Sequence, residues 1–466
     1  MQRKIGQNRK EWYDYMKRLI YLDHAATTQP FPEVLDAMIP YYSRYYGNPS
    51  SGYELGEESK RAIETAREQI ADTLGVEDDT IYFTSGGTES DNWALRYAVQ
   101  NGKRRRPHIV TSSIEHHAIL NTCKNLEKQG VRVTYLPVNK EGTVQPEMVE
   151  RAIISDTVLV SVMYANNEIG SIQPIRQIGQ ITHRKQVLFH TDAVQAYGQI
   201  PIHVKEDNID LLSASGHKFN GPKGTGFLYA RKGLKLQPMI HGGGQERKMR
   251  AGTENVPGIV GIGRAAVCSA AILEKKMAYE SRLRDYFIRR LLEEIPGSSI
   301  NGDRRNRLPN NVNISIAGVN GPAVVALLDL EGICVSSASA CSTGEQKASH
   351  VQLAIGNAGH QAYEAIRFTL GIQNTPEELD DTVEGVAGHA RRAHAPHAPP
   401  ARQGQGAGPR EVRERLPLPR RPAGAVLGDL QLPLHAGPGH RRHRPGRRRA
   451  VEQAPAGHDL RAVEGR

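Results

Sequence analysis

The sequence is poor in the residues that mark several classes of protein. Only 6% of its 466 residues are aromatic, and the cysteines number four: Cys123, Cys268, Cys334 and Cys341. No two of these cysteines form a CxxC pair, so the sequence contains neither a zinc-binding motif nor a dithiol redox motif. No stretch approaches the ~20 consecutive apolar residues that a membrane-spanning helix needs, so we expect no membrane contact.

The first residues lack a targeting signal. Residues 1–17 are polar and of mixed charge, without the apolar run of a secretory signal, and they contain acidic residues that transit peptides avoid. We therefore expect a cytoplasmic protein whose thiols are reduced. We assign residues 1–18 to an N-terminal extension. Residues 1–15 are either a genuine arm or the product of a start codon set too early, because Met16 stands just before the first strand.

A net charge of +10 would suit a nucleic-acid-binding protein, but this charge lies at one end of the chain. The residues from Gly388 to Arg466 hold 16 Arg and no Lys against 6 acidic residues, so residues 1–387 are neutral overall. A basic patch for phosphate backbones is therefore not a property of the rest of the chain. We expect nucleic-acid binding only if the basic tail itself provides it.

The tail, residues 388–466, also lacks Lys, Ser, Thr, Asn, Ile and every aromatic residue. Arg, Ala, Pro, Gly and His dominate it, and such a composition buries too little apolar surface to offset the entropy of ordering. The tail is therefore predicted to be disordered. It is either a genuine basic tail for an acidic partner or the out-of-frame translation of a GC-rich gene, and the abrupt change in composition favours the second.

Between these ends, short apolar runs alternate with longer amphipathic segments. This rhythm predicts βαβ units and an α/β fold with a mostly parallel sheet. The strand candidates of this sheet are 80–84, 108–111, 131–136, 158–163, 187–190, 211–214 and 226–229. A long charged helix is predicted around Ala265–Glu294, followed by a second, α+β pattern. We therefore predict a large domain over residues 19–260, and a long helix with a smaller C-terminal domain over residues 261–387.

One candidate for covalent chemistry is the segment SGHK at residues 215–218, which is followed by GPKG at 221–224. A lysine just past a strand and among small residues can stand free in a cavity, where it could bind an aldehyde cofactor. Ser215 and His217 could hold a phosphate beside Lys218. The alternative is an ordinary solvated lysine next to a glycine turn.

A second candidate is the segment TSGGTES at residues 84–90, which follows a strand and opens a helix. Backbone N–H groups at the start of a helix bind anions, and glycine allows a close approach, so Gly87 and Thr88 are candidates for phosphate binding. The alternative is an ordinary capped helix.

A third candidate is the segment HTDAVQ at residues 190–195. An aspartate at the end of a strand, Asp192, could pair with a protonated pyridine nitrogen, and Gln195 could reach the ring hydroxyl. Capping of a helix is the commoner role of such an aspartate.

Two further residues could take part in catalysis. His116, at the start of a helix, could stack on an aromatic ring or move protons, although a lone histidine is more often structural. Cys341 lies in a run of small polar residues, SSASACSTG at 336–344, that suits an exposed loop. An exposed thiol there is either a nucleophile or a harmless surface group. Cys334 lies in an apolar run and is more typical of an inert core thiol.

Taken together, these segments resemble the cysteine desulfurases, a branch of the class V aminotransferases with the aspartate-aminotransferase fold. The resemblance runs from about Leu19 to Glu384. Its motifs are YLDHAATT at 21–28, YGNPSS at 46–51, TSGGTESDN at 84–92, EHHAIL at 115–120, ANNEIG at 165–170, HTDAVQ at 190–195, SGHKFNGPKG at 215–224, HGGGQE at 241–246, RAGTEN at 250–255, SSASACSTG at 336–344 and IRFTLG at 366–371. So many motifs in one order imply a fold-type I enzyme that depends on pyridoxal 5'-phosphate.

The resemblance assigns the cofactor-binding residues. It implies that Lys218 carries the cofactor, that Asp192 pairs with the ring nitrogen, that Gln195 contacts the ring hydroxyl and that His116 stacks on the ring. It implies that four residues hold the phosphate: Gly87, Thr88, Ser215 and His217. Thr253 would reach the phosphate in the other subunit of a homodimer.

The resemblance also assigns substrate binding and the reaction. Asn167, which contacts the cofactor too, and Arg367 would bind the carboxylate of L-cysteine, a task that suits a planar guanidinium. Cys341 would take the sulfur as a persulfide, and L-alanine would be released. The catalytic residues would thus be Cys341, Lys218 and His116. The 25 residues between Cys341 and Arg367 indicate the branch with a long, mobile cysteine loop.

The implied partners are an iron–sulfur scaffold protein or a tRNA-thiolating enzyme, either of which would accept the sulfur. No metal site made of protein residues alone is implied, although Cys341 could ligate an iron–sulfur cluster during transfer. Four rivals stay open: a selenocysteine lyase or other β-eliminating enzyme of the same fold, a plain aminotransferase, which would need no loop cysteine, a protein that binds nucleic acid through its tail, and an enzyme crippled by loss of its final helix. The last arises because the family's C-terminal helix should continue past Glu384, where this sequence departs from the family.

Overall fold

The helices and strands alternate along most of the chain. The computed structural model describes residues 19–102, 104–337 and 348–394. The strands are β1 (Ile20–Tyr21), β2 (Ile81–Thr84), β3 (His108–Ser112), β4 (Arg132–Leu136), β5 (Thr157–Ser161), β6 (Leu188–Asp192), β7 (Leu211–Ser215), β8 (Gly226–Ala230), β9 (Ser298–Ile300), β10 (Asn311–Ile316), β11 (Ile333–Cys334), β12 (Ser336–Ser337) and β13 (Ala365–Thr369). The helices are α1 (Pro32–Met38), α2 (Pro40–Ser43), α3 (Glu54–Leu74), α4 (Gly87–Asn101), α5 (His117–Glu127), α6 (Pro146–Ala152), α7 (Ile175–Lys185), α8 (Val256–Glu294), α9 (Gly321–Leu330), α10 (His350–Ala354) and α11 (Pro376–His394).

A seven-stranded sheet in the order β2-β8-β7-β6-β5-β3-β4 organises the larger part of the fold. The pairings from β7 to β4 are parallel, and only β8 runs antiparallel to its neighbours β2 and β7. The carboxyl ends of β2, β6 and β7 therefore lie at one edge of the sheet. This edge is where ligands bind in open α/β sheets. The α/β fold with a mostly parallel sheet is confirmed.

Helices α4 and α5 cover one face of this sheet. Their buried residues, among them Trp93, Leu95 and Ile119, form one cluster with the strand residues Ile109 and Leu159. Residues of β5 and β7 are buried on both faces, which explains why these strands read as continuous apolar runs rather than alternating ones.

A second, antiparallel sheet has the order β12-β13-β10-β9. Its core includes Phe287 of α8 and Phe368 of β13, whose rings meet edge to face with centroids 5.1 Å apart. Strand β1 pairs with β11 near this sheet, so the start of the described chain is held beside residues 333 and 334. Helix α8 starts before the boundary predicted at residues 260 and 261 and contributes to this core through its C-terminal half.

Helix α8 corrects the expectation about apolar stretches. By length and composition alone it could cross a membrane. The sequence does not show this helix as a continuous apolar stretch, because a lone Arg264 and several glycines interrupt the apolar run. However, 61% of its apolar window is buried inside the protein, and the helix packs against α3 and α1. The apolar residues therefore serve the core of this fold.

Helix α11 continues to His394, seven residues into the segment for which we predicted disorder. Val383, Val386, Ala387 and Ala390 are buried, and their helical spacing explains why the helix continues past the change in composition. The predictions for residues 1–18, for the cysteine segment 338–347 and for the rest of the tail lie outside the described residues.

Candidate active site

A cavity of about 320 Å³ opens at the carboxyl edge of the large sheet. It is lined by Ala25, Ala26, Gly87, Thr88, Asp91, His116, Met163, Asn167, Asp192, Val194, Gln195, Ser215, His217, Lys218 and Arg367. Ten of the twelve site residues predicted from the sequence are among them. They come from strands and turns far apart in the chain, and the shared edge of β2, β6 and β7 brings them together.

Lys218 ends a short 3-10 turn, Gly216–Lys218, directly after β7. Its Nζ donates hydrogen bonds to the carbonyl oxygens of Ala25 at 2.5 Å and Ala26 at 2.9 Å. Burial, and then the charge of Arg367, lower the pKa of Lys218 to about 8. A neutral amine is therefore far more accessible here than for an exposed lysine, and a neutral amine is what a reaction with an aldehyde requires.

Asp192 and His116 face the same cavity. Asp192 ends β6, is buried, and accepts a hydrogen bond from the Val194 N–H at 2.9 Å. His116 caps α5, and its Nδ1 accepts the Ala118 N–H at 3.1 Å. Nδ1 is therefore unprotonated, which leaves any proton of the neutral ring on Nε2. Burial is the main cause that lowers the pKa of His116, so the ring is neutral.

One end of the cavity is formed by the start of α4 and is suited to bind an anion. Gly86 has φ +152° and ψ −178°, a conformation essentially restricted to glycine. At Gly87 a Cβ atom would lie 2.5 Å from Val194 Cγ2, so only glycine lets the helix start come this close. The free N–H groups of this helix end and the Ser215 side chain therefore lie within one small space.

His217 and Gln195 fix the segment that precedes α1 against the cavity. His217 Nδ1 lies 3.2 Å from Thr27 Oγ1, and Gln195 Nε2 donates to the Ala25 carbonyl at 3.1 Å. Burial, followed by the charge of Lys218, lowers the pKa of His217 to about 4, so this ring is neutral. Both side chains thus face the cavity as neutral hydrogen-bonding groups.

Arg367 of β13 supplies the cation at the other side of the cavity. Its Nη2 donates to Asp23 Oδ1 at 2.7 Å and its Nη1 to the Asn167 carbonyl at 3.1 Å. Its Nε is buried without a hydrogen-bond partner. A guanidinium that lines the cavity and is oriented by two acceptors is suited to bind a carboxylate.

Two predicted site residues are not among those that line the cavity. Thr253 is absent from its lining, although Arg250, three residues earlier, pairs with Glu89 of α4 at 2.9 Å. Cys341 lies outside the described residues. The residues that flank its segment are described, and both flanks are bound beside the cavity. Ser336 pairs with Arg367 between β12 and β13, and Ser349 Oγ donates to Glu168 Oε2 at 2.6 Å.

Sequence reasoning missed two acidic residues of the site. Asp23 holds Arg367, and Asp91 lines the cavity beside Asp192 and His116; the side-chain ligand atoms of these three residues all lie within 4.8 Å of one another. Both lie inside motifs quoted above. Their spacing from the other site residues gave no sign of their role, because each reaches the site through the tertiary fold.

The matching family is described as Aminotransferase class-V, and it covers residues 20–381. The chain belongs to the class-V aminotransferase family. A cysteine desulfurase IscS from Methanosarcina thermophila is 51% identical to this class-V aminotransferase over 369 residues, which are 79% of this chain and 91% of that protein.

Solved structures of related proteins have the same fold. A NifS-like protein is 40% identical with a TM-score of 0.75, and the match covers 79% of this class-V aminotransferase and 98% of that chain. SspA in complex with cysteine is 36% identical with a TM-score of 0.68, over 76% of this chain and 100% of that one. The fold-type I architecture predicted from the sequence is confirmed.

Like the rest of its family, this class-V aminotransferase depends on pyridoxal 5'-phosphate, and the cavity fits that group. Lys218 would hold the aldehyde carbon, and Asp192 would face the ring nitrogen. The glycine-lined start of α4, together with Ser215 and His217, would bind the phosphate. His116 would lie against the ring. The guanidinium of Arg367, which lines the same cavity, is left for a substrate carboxylate.

Proposed function

We propose that this protein is a cysteine desulfurase, which converts L-cysteine to L-alanine and retains the sulfur as a persulfide on Cys341. One observation carries the proposal. Lys218, Asp192 and Arg367 line a single cavity, and the segment that bears Cys341 is attached at both ends to the residues around Arg367 and Asn167. Relatives named cysteine desulfurase, and the related SspA structure that holds cysteine, support the choice of substrate.

The attachment points support a role for Cys341 because they set its reach. Ser337, the last described residue before it, pairs with Ile366, the neighbour of Arg367. Ser337 and Cys341 are four positions apart, and an extended chain of that length spans up to ~14 Å. That reach would allow the thiol to meet an amino acid bound at Arg367.

Different residues of the cavity would bind the substrate and remove its α-proton. Arg367 would bind the substrate carboxylate with the part of its guanidinium that lines the cavity, with Asn167 beside it. Once free of the cofactor, the Lys218 amine would take the α-proton, a task that suits a base whose pKa is about 8. When bound, pyridoxal phosphate draws electrons away from the substrate α-carbon. Asp192 would favour this withdrawal of electrons, because it is the anion that would face the ring nitrogen.

The sulfur transfer balances without an external oxidant. The Cys341 thiolate attacks the substrate sulfur, and a sulfur–sulfur bond forms as the bond between sulfur and the β-carbon breaks. The electron pair of the broken bond stays with the substrate. Protonation of the β-carbon then gives the methyl group, and return of a proton from Lys218 to the α-carbon completes L-alanine.

Three further features belong to this proposal. We infer a homodimer, because the cavity continues at its phosphate end into a second opening of about 400 Å³ where Thr253 of a partner could enter. We infer an iron–sulfur scaffold protein or a tRNA-thiolating enzyme as the acceptor of the persulfide sulfur. We also infer a cytoplasmic location, which suits the reduced thiols of Cys123 and Cys268.

Alanine formation from L-cysteine by the full chain, loaded with pyridoxal phosphate and supplied with a reducing thiol, tests the function. Cys341→Ala should retain the visible absorbance of the lysine-bound cofactor but lose alanine formation and, in a reaction run without the reducing thiol, the mass gain of one sulfur atom. Cys334→Ala is the matched control and should keep both. Full alanine formation by Cys341→Ala would exclude the assigned role.

A further inference from the structure

Asp91 is a buried acid of the cavity to which the proposed reaction gives no role. It lies on the second turn of α4, is 1% exposed, and lines the cavity together with Asp192. Its Oδ1 is buried without a hydrogen-bond partner. A buried carboxylate oxygen with no partner is costly, so the state of this group requires an explanation.

The surroundings of Asp91 offer little positive charge. His190 of β6 is nearest, with its Nε2 3.7 Å from Asp91 Oδ1. Both of its ring nitrogens already have hydroxyl partners, Ser161 at 2.9 Å and Ser213 at 3.0 Å, and burial lowers the pKa of His190 to about 3. His190 is therefore neutral. On the side of α5, Glu115 adds a further acidic group rather than a cation.

Asp192 is the group that competes with Asp91 for the negative charge. The two carboxyl groups lie within 4.8 Å of each other and both are buried, so two full charges would repel strongly. Asp192 accepts the Val194 N–H, and the charge of Lys218 favours its ionised form. Asp91 has only a hydrogen bond with Ser213 to favour ionisation. The negative charge therefore belongs on Asp192 and the proton on Asp91.

We propose that Asp91 is a neutral carboxylic acid that positions Asp192 by leaving it the single negative charge of the pair, so that the Asp192 carboxylate alone faces the cofactor ring nitrogen. The direction of the titration agrees, because burial and then the charge of Asp192 raise the pKa of Asp91 well above its ordinary value. This inference rests on the proposed binding of pyridoxal phosphate. Asp91 acts through Asp192 and is a positioning residue.

Two substitutions separate a neutral acid from an ionised one. Asp91→Asn keeps the size and a neutral polar group, so it should bind pyridoxal phosphate with wild-type affinity and keep the wild-type pH dependence of the cofactor absorbance. Asp91→Leu removes the polar group and leaves the buried Ser213 hydroxyl and Asp192 beside an apolar side chain. Its affinity for pyridoxal phosphate should therefore fall by about tenfold, the order of effect expected when a buried polar group loses its partner. Rescue by Asn but not by Leu is the expected pattern.

Infrared spectroscopy tests the protonation state without the cofactor. At pH 7, the spectrum of the cofactor-free wild type minus that of Asp91→Asn should show the carbonyl stretch of a protonated carboxylic acid. A band that appears only below about pH 5, where ordinary carboxyl groups take up protons, would overturn the proposal. So would an Asp91→Asn variant whose cofactor absorbance titrates differently from that of the wild type.

Glu115→Gln is the matched control for the band, because burial raises the pKa of Glu115 to about 8 and this acid contributes its own signal. The Asp91 band should persist in that variant. Because the infrared band is measured in the cofactor-free protein, it tests the protonation of Asp91 even if L-cysteine proves not to be the substrate. A failure of the function is therefore distinguishable from a failure of this inference.

Discussion

The guanidinium of Arg367 is held by a carboxylate that lies 344 positions earlier in the chain: its Nη2 is 2.7 Å from Asp23 Oδ1. Asp23 lies two positions before Ala25, which together with Ala26 provides the carbonyl oxygens that hold the Lys218 amine. One short stretch after β1 therefore orients both the cation for the substrate carboxylate and the base. Burial raises the pKa of Asp23, but Arg367 opposes this effect as its strongest partner.

Removal of the Asp23 side chain should weaken substrate binding. In Asp23→Ala, Arg367 loses its anionic partner and its fixed orientation, so kcat/KM for L-cysteine should fall by about 10- to 100-fold, since the unpairing of a buried charge commonly costs a few kcal/mol. Asp23→Asn retains an acceptor and should lose less. The absorbance of the bound cofactor should be unchanged in both variants. Equal kcat/KM in Asp23→Ala and wild type would refute the role of Asp23.

The lowered pKa of Lys218 predicts how the cofactor-free protein captures pyridoxal phosphate. Only the neutral amine attacks the aldehyde, and its fraction rises with pH until the pKa of about 8 is passed. The capture rate, followed by visible absorbance after rapid mixing, should therefore increase from pH 6 to pH 8 and level off above it. A rate that continues to rise tenfold per pH unit up to pH 10 would show that Lys218 has the pKa of an ordinary lysine.

Gly86 should be required for binding of the phosphate. Its φ of +152° would strain any other residue by about 1–3 kcal/mol, and relief of that strain would move the start of α4. Gly86→Ala should therefore lower the affinity for pyridoxal phosphate by at least about tenfold, measured by fluorescence titration of the cofactor-free protein. Gly52→Ala is the control, because Gly52 has no positive φ and open space where a Cβ would be. Unchanged affinity in Gly86→Ala would show that the loop tolerates the change.

Much of the site could be predicted because its residues lie at the ends of elements with clear signals. Asp192 and Ser215 end strands whose apolar runs mark them as buried, and Gly87 opens a helix after the glycine pair. The parallel order of the strands then brings those ends to one edge. Short-range pattern and sheet topology together place such residues correctly.

The residues that could not be predicted depend on contacts between distant segments. Asp23 and Asp91 gain their roles only when β13 and β6 are placed beside them. Helix α3 was also missed, although its buried residues Ile63, Ala66 and Ile70 have a regular helical spacing. This helix contains none of the sequence motifs. It mainly packs against α8 and carries no proposed catalytic residue.

The end of α11 provides a test of the tail. His389 is 3% exposed with its Nε2 3.1 Å from Glu331 Oε1, and His394 Nε2 lies 2.7 Å from the Ala317 carbonyl. A variant that ends at Ala387 loses both contacts and the buried Ala390. It should therefore unfold at lower urea concentration than a variant that ends at His394, by roughly 1–3 kcal/mol in the free energy of unfolding.

The variant that ends at His394 should match the full chain in this experiment, because every contact of α11 is kept. Gly388→Ala gives an independent reading, since a Cβ there meets no atom within 4 Å. In a formed helix, alanine in place of glycine should stabilise the protein by about 0.5–1 kcal/mol. If residues 388–394 are not helical, Gly388→Ala will have no effect and the two truncated variants will unfold together. In that case the change in composition after Ala387, rather than the burial of Ala390, marks the true end of the fold.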